Sequence, residues 1–302
     1  MGGKVFENIL GNDPIKAYLK RALEEGRLPQ TLLFAGMDGI GKSLFAKEVA
    51  DQLLQSNHSP DLHRLAPEGK SGLYAIDTLR EMMEKEHAAP FEAPGKVFIL
   101  EDAERMQPAS ANALLKTLEE PSQGTTFILL SSNPNEILPT ILSRCVTLTF
   151  QPLAQEAIVQ LLKAKGYAPQ FAKLGAGSAG RAFEFAEHPE LEEQRKVLFR
   201  LLRERPSYPE LSIELEKFEV EEEDPVKKNR RVELLFSYVW MWHRDQQVRE
   251  MGREDLLFFP DEPVGKFSPL SKVGEAIEKA RLAFHRNMKL SICMKACLTS
   301  LV

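Results

Sequence analysis

The chain has 302 residues and a formal net charge of −5, from 39 basic and 44 acidic side chains; it has no global basic field, so an autonomous nucleic-acid binder is not expected. That length exceeds what one hydrophobic core usually serves, and two or three domains are expected. Cys145, Cys293 and Cys297 make an odd number of cysteines without metal-ligand spacing, which argues against a disulfide framework and for a reducing compartment, the cytoplasm.

The opening residues Met1 to Glu7 hold no apolar signal core, and no run approaches the roughly 18 apolar residues of a membrane span, so neither secretion nor membrane insertion is expected. The first apolar run, Leu32 to Ala35, reads as a strand. It leads into Gly36-Met37-Asp38-Gly39-Ile40-Gly41-Lys42-Ser43, which fits G-x-x-x-x-G-K-[ST], and a helix-like stretch from Leu44 to Leu54 follows. A phosphate loop needs this setting: Gly36, Gly39 and Gly41 let backbone N–H groups curl around phosphate oxygens, Lys42 supplies a charge to the outer phosphates, and the Ser43 hydroxyl can hold Mg²⁺. The chain is expected to hold a nucleoside triphosphate.

Further short apolar runs at His63 to Ala66, Val97 to Leu100, Phe127 to Leu130 and Val146 to Phe150 alternate with helical patterns, which predicts a parallel α/β sheet. The run Lys96 to Leu100 ends in Glu101 and Asp102. An acid there is placed to hold Mg²⁺ near a phosphate loop. In the usual order an aspartate leads and holds the metal, and a following glutamate polarises the attacking water; here the order is reversed. Strand side chains alternate in direction, so each acid would act with the wrong length. One methylene moves a carboxylate by roughly 1.5 Å, and a misplacement of about 1 Å can cost on the order of 10²-fold in rate. Nucleotide with Mg²⁺, held through Ser43 and Glu101, is compatible with slow hydrolysis.

Pro108 suits the first turn of a helix whose apolar stripe is Leu114, Leu115 and Leu118, and Pro121 stops it after Glu119 and Glu120. After Gln151-Pro152 the strand pattern ends. A small helical segment reaches about residue 188 and contains Gly175-Ala176-Gly177-Ser178-Ala179-Gly180 before Arg181; from Leu191 everything is helical in period. The expected domains are 1–152, 153–188 and 189–302. The acidic run Glu221 to Asp224 and the basic cluster Lys227 to Arg231 read as solvated faces at a helix junction near Pro225. Trp240 and Trp242 read as core or interface packing beside Val232, Leu235, Phe236 and Val239, rather than as base-stacking platforms. Cys293 and Cys297 share a helix face and read as small buried hydrophobes.

Four motifs in order carry a resemblance: the phosphate loop, Glu101 to Met106, Asn112 to Pro121, and Leu138-Pro139-Thr140-Ile141-Leu142-Ser143-Arg144-Cys145. Together they resemble the bacterial clamp-loader branch of the AAA+ family, strongly over the first half of the chain and loosely beyond. The resemblance implies a P-loop AAA+ nucleotide-binding domain, a small helical lid domain and an all-α collar domain, with ATP or ADP and Mg²⁺ as cofactors. Ser143-Arg144-Cys145 is similar to the motif whose arginine is offered in trans to a neighbour's nucleotide, Ser131 and Ser132 lie where the family has its first phosphate sensor, and Arg181 resembles the second sensor, from the lid.

Implied partners are the gamma or tau and delta subunits, a sliding clamp, and primed DNA reached through the complex. Such DNA contact would be to backbone phosphate, without sequence reading. Two departures point away from the motor subunits: the reversed acids, and the lack of any cysteine between Ser43 and Glu101, so that no zinc is expected and His58, His63 and His87 read as surface or loop residues. An autonomous AAA+ ATPase, whether a motor subunit or a recombination remodeller, and a nucleotide-gated adaptor outside replication are the other readings.

Overall fold

Strands β1 (Thr31–Ala35), β3 (Lys96–Leu100) and β4 (Thr125–Ser131) are buried along their whole length, as apolar runs without polar alternation demand when helices cover both faces of a sheet. With β2 (Leu62–Leu65) and β5 (Val146–Thr149) they form one parallel sheet in the order β2-β3-β4-β1-β5. The computed structural model describes residues 5–67, 73–216, 218 and 225–301, without the side chains of 225–227. The expected acidic run Glu221 to Asp224 lies outside the described residues, as does the Lys227 side chain.

Alternation along β1 divides the core between the two sheet faces. Leu32 and Phe34 pack with Ile15 and Leu19 of α1 (Asp13–Glu24) and with Phe45 and Val49 of α2 (Lys42–Leu54). Leu33 and Ala35 pack with Leu79 and Met82 of α3 (Ile76–His87) and with Leu114 and Leu118 of α4 (Pro108–Glu119). Pro108 opens α4 where a missing N–H costs nothing, and the helix ends before Pro121.

Polar anchors fix the two ends of the sheet. At the amino end, the buried Lys96 ammonium donates to the carbonyls of Lys85, Glu86 and Ala88, placing a cation at the negative end of α3. Beside it, the Asp61 carboxylate accepts the N–H groups of Phe91, Glu92 and Ala93 at 2.7 to 2.9 Å, so the loop into β3 hangs on one side chain. At the other end, Asn12 bonds Gln151 both ways, its Nδ2 donating to the carbonyl at 3.1 Å and its Oδ1 accepting the N–H at 2.7 Å.

Between β4 and β5 lies α5 (Pro139–Leu142), and beyond the sheet come α6 (Gln155–Ala164), α7 (Phe171–Gly175) and α8 (Ala179–Glu187). The chain divides into two compact units, Met1–Phe183 and Glu184–Val302. The second is built from α9 (Glu190–Glu204), α10 (Tyr208–Leu215), α11 (Pro225–Glu250), α12 (Leu270–His285) and α13 (Leu290–Ser300). Pro225 begins α11. Its stripe runs through Val232, Leu235, Phe236 and Val239 to Trp242, which is 2 % exposed. Trp240 departs from the expected stripe at 39 % exposure, because a 3.6-residue period carries the buried line from Val239 to Trp242. Cys293 and Cys297 are buried among the helices, and burial pushes the Cys297 thiol up to about 12.

Candidate nucleotide site

Register aligns the carboxyl ends of three strands. Ala35 lies opposite Ser131, and Leu100 opposite Leu129. The phosphate loop leaves β1, the acids leave β3 and the serines leave β4 into one crevice, the place where open α/β sheets bind ligands. Gly41 holds φ 100° as the residue before α2, a conformation that L side chains rarely adopt, and a Cβ there would enter open space. The first turn of α2 therefore meets the crevice with its N–H groups.

Lys42, expected at the outer phosphates, is 6 % exposed and turned onto its own loop. Its ammonium donates to the carbonyls of Gly36 at 2.5 Å and Met37 at 2.9 Å, and Asp38 stands 3.6 Å away. Burial lowers its pKa against the raising pull of Asp38, Glu104 and Asp102. Ser43 follows it in the first turn of α2, half-buried.

The two acids do not share a direction. Strand alternation stops governing them, because β3 ends at Leu100 and Asp102 takes a left-handed conformation at φ 47° and ψ 51°. Glu101 turns to β2, where its carboxylate pairs with Arg64, and the Tyr74 hydroxyl donates to its backbone carbonyl. Asp102 stays half-exposed, 3.9 Å from Arg105 Nε; burial raises its pKa, Asp38 and Glu104 add to the rise, and Arg105 opposes it. Lys42 thus has Asp38, Glu104 and Asp102 as its acidic surroundings, and Glu101 is engaged elsewhere.

Ser132, expected as a phosphate sensor, is occupied by an acid that the motif reading passed over. Its hydroxyl and amide donate to Glu104 Oε1 at 2.7 and 3.0 Å, and the Asn133 amide adds a bond at 3.3 Å. Burial alone would raise the Glu104 pKa; the Ser132 hydroxyl and the other donors hold it below the usual carboxylate range. Its other oxygen, Oε2, is buried without a hydrogen-bond partner among the described residues. Glu104 was legible as a third acid in Glu101-Asp102-Ala103-Glu104, and Asp38 as an acid inside the loop itself.

Arg181 lies in the first turn of α8, its N–H on Ser178 Oγ at 3.1 Å. One residue earlier, Gly180 touches the phosphate loop, its N–H donating to the Gly39 carbonyl at 2.9 Å. Arg144 lies elsewhere, after α5, where Glu119 of α4 holds it. Among the described residues no group of three or more His, Cys, Asp and Glu side chains is placed to hold a metal. Nucleotide-bound Mg²⁺ makes a different demand, for few protein ligands beside phosphate oxygens. Ser43, the raised Asp102 and the orphaned Glu104 oxygen fit it.

A phosphate loop between β1 and α2, acids after β3, and a small helical module resting on the loop define a P-loop nucleotide-binding protein of the AAA+ class. Residues 11–154 match the family model described as DNA polymerase III, delta subunit. The chain is 31 % identical over 268 residues to the DNA polymerase III subunit delta-prime of Bacillus subtilis, covering 80 % of this chain and 79 % of that one. It belongs to the family of DNA polymerase III delta-prime subunits. A gamma/tau subunit of Mycoplasma pneumoniae is 33 % identical over 175 residues, 52 % of this chain and 25 % of the relative. The fold is similar to a crystal structure of a gamma subunit-related protein from Thermotoga maritima, with a TM-score of 0.50 and 18 % identity over 94 % of this chain and 97 % of that one.

Proposed function

We propose that the chain serves as the delta-prime subunit of a clamp loader in the cytoplasm, binding ATP or ADP with Mg²⁺ while contributing little turnover of its own. The carrying observation is the division of the acids: Glu101 is paired with Arg64, and Asp102 is among the acids whose charge acts on Lys42. An aspartate reaches less far than a glutamate, and a glutamate held by an arginine is a poor activator of water. Gly36, Gly39, Gly41, Lys42 and Ser43 would seat the phosphates, Asp102 or Glu104 would stand near the metal, and Ser132 and Arg181 would feel the outer phosphate. Glu101, expected at the metal, would have to leave Arg64 to reach it.

In this reading, Arg144 acts on the nucleotide of a neighbouring gamma or tau subunit, as an always-charged planar fork suits charge developing on a transferring phosphoryl group. Residues 153–188 would work as the lid and 189–302 as the collar joining the gamma or tau and delta subunits. The complex would load a sliding clamp on primed DNA. No helix among the described residues is long and apolar enough to cross a membrane.

Reconstitution of the loader with Arg144→Ala tests the reading. ATP binding to this chain should persist while turnover of the assembled complex falls by roughly 10³-fold at the sites it serves. Unchanged assembled turnover would remove Arg144 from the role. Ordinary ATP hydrolysis by the purified chain alone would favour an autonomous ATPase instead.

A further inference from the structure

Glu119 and Glu120 end α4 with negative charge where the last backbone carbonyls are already negative, an arrangement that helix electrostatics disfavours. Lys116, one turn back, is the cation of that last turn. The Glu119 carboxylate instead reaches across 25 residues of sequence to Arg144.

The contact uses one particular edge of the guanidinium. Arg144 Nε and Nη2 donate to the same oxygen, Glu119 Oε2, at 2.9 and 2.7 Å. From the other side Nη1 donates to the Thr140 carbonyl at 3.0 Å, with a longer contact to Ser143 Oγ at 3.4 Å. A guanidinium carries five N–H donors in one plane. Three of them are committed to bonds of ordinary length, the second Nη1 hydrogen has only the long Ser143 contact, and the second Nη2 hydrogen is uncommitted. A pair of terminal N–H groups is what an arginine offers when it grips two oxygens of a phosphate. The Arg144 side chain is 28 % exposed and that of Glu119 57 %, so water screens the pair and it adds little to the stability of the fold. What it does supply is orientation.

We propose that Glu119 is a positioning residue for Arg144, fixing the guanidinium plane from behind so that its uncommitted Nη2–H, with the Nη1–H that has only the long Ser143 contact, faces a phosphoryl oxygen of the neighbouring subunit's nucleotide. This rests on the trans role of Arg144 argued above. The long side chain gives up its rotamer freedom before the neighbour arrives, so that less ordering remains to be done when the site is assembled. Glu119 touches neither nucleotide nor metal.

The assembled loader with Glu119→Ala, Glu119→Gln, Arg144→Ala and the double variant carries the test. Glu119→Ala should lower kcat by roughly tenfold or more with KM for ATP unchanged, since a misaligned group costs rate more than binding. Glu119→Gln keeps an oxygen acceptor and should recover part of the rate, and the double variant should match Arg144→Ala alone. Full turnover in Glu119→Ala while Arg144→Ala is slow, or additive losses in the double variant, would overturn the positioning role and leave the trans role standing. Loss of effect in Arg144→Ala would remove both. A second readout needs no partner: the Nε–H resonance of Arg144 in the isolated chain should move toward the solvent-exposed value in Glu119→Ala. An identical resonance in both proteins would overturn the contact whatever the turnover shows.

Discussion

The N–H of Gly180 donates to the carbonyl of Gly39 at 2.9 Å, so the first turn of α8 rests directly on the phosphate loop, backbone against backbone. Neither position has room for a side chain. A Cβ on Gly180 would lie 2.8 Å from Gly39 Cα, and one on Gly39 would lie 2.4 Å from Ser178 Oγ. The phosphate loop and the helix that carries Arg181 are thereby coupled through a contact that only glycine permits.

Gly180→Ala tests that coupling. Alanine favours the helix by up to about 1 kcal/mol, but the methyl group meets backbone that cannot rotate away, and overpacking of this kind costs about 1 to 3 kcal/mol. Net destabilisation in urea titration is expected, with faster amide exchange over residues 178–183. A variant at least as stable as the parent would mean that the two backbones are not held together in solution.

Lys42→Ala separates the charge of the phosphate loop from its shape. Hydrogen bonds to charged groups contribute about 1.5 to 3 kcal/mol, so nucleotide affinity should fall by roughly 10- to 100-fold. Calorimetric titration with ATP and Mg²⁺ measures it. Equal affinity in parent and variant would show that Lys42 stays on the Gly36 and Met37 carbonyls and never reaches a phosphate.

Asp61 should give the first unit an acid-sensitive anchor. Burial opposes its charge, but the amides of Glu92, Phe91 and Ala93 prevail and hold its pKa below the usual value. A carboxylate with a lowered folded pKa contributes stability that is present above its unfolded value, about 3.9, and is lost as pH falls through the folded one. Asp61→Asn should destabilise the protein at pH 7 by about 1 to 3 kcal/mol, and the gap should narrow below pH 4. Denaturant melts at both pH values check the sign.

His243 should act in a different window. It is 1 % exposed, with Nδ1 accepting the Ser268 N–H at 3.0 Å, so Nε2 carries the proton of the neutral ring. Burial, with Arg205 nearby, pushes its pKa down to about 4. The unfolded chain takes up a proton near pH 6.5 and the folded chain does not; the stability held above pH 6.5 is therefore lost as pH falls from about 6.5 to about 4, by on the order of 3 kcal/mol. His243→Asn, which keeps an acceptor near the Nδ1 position, should flatten that limb in urea titrations between pH 7 and pH 4. An unchanged slope would assign the acid sensitivity to other groups.

Much of the fold was legible along the chain. The five apolar runs correspond to the five strands within a residue or two; for β1, β3 and β4 the reason is that a strand buried on both faces must be largely apolar. Pro108 and Pro121 bracket α4, since proline can open a helix but not extend it. The third acid, Glu104, was equally visible but lacked a partner in the sequence; Ser132, its donor, lies 28 residues further on.

The sequence by itself determined that a phosphate loop follows a strand and that acids end another strand, because each depends on local spacing and backbone chemistry. Only the tertiary structure decided which acid of the pair is taken up by a basic neighbour on the next strand. Arg64 on the neighbouring strand pairs with Glu101, the backbone turns left-handed at Asp102, and Glu119 holds Arg144 from a helix end 25 residues upstream. Those choices depend on charges brought together through strand register and helix packing, and no spacing along a single chain encodes the distances between them.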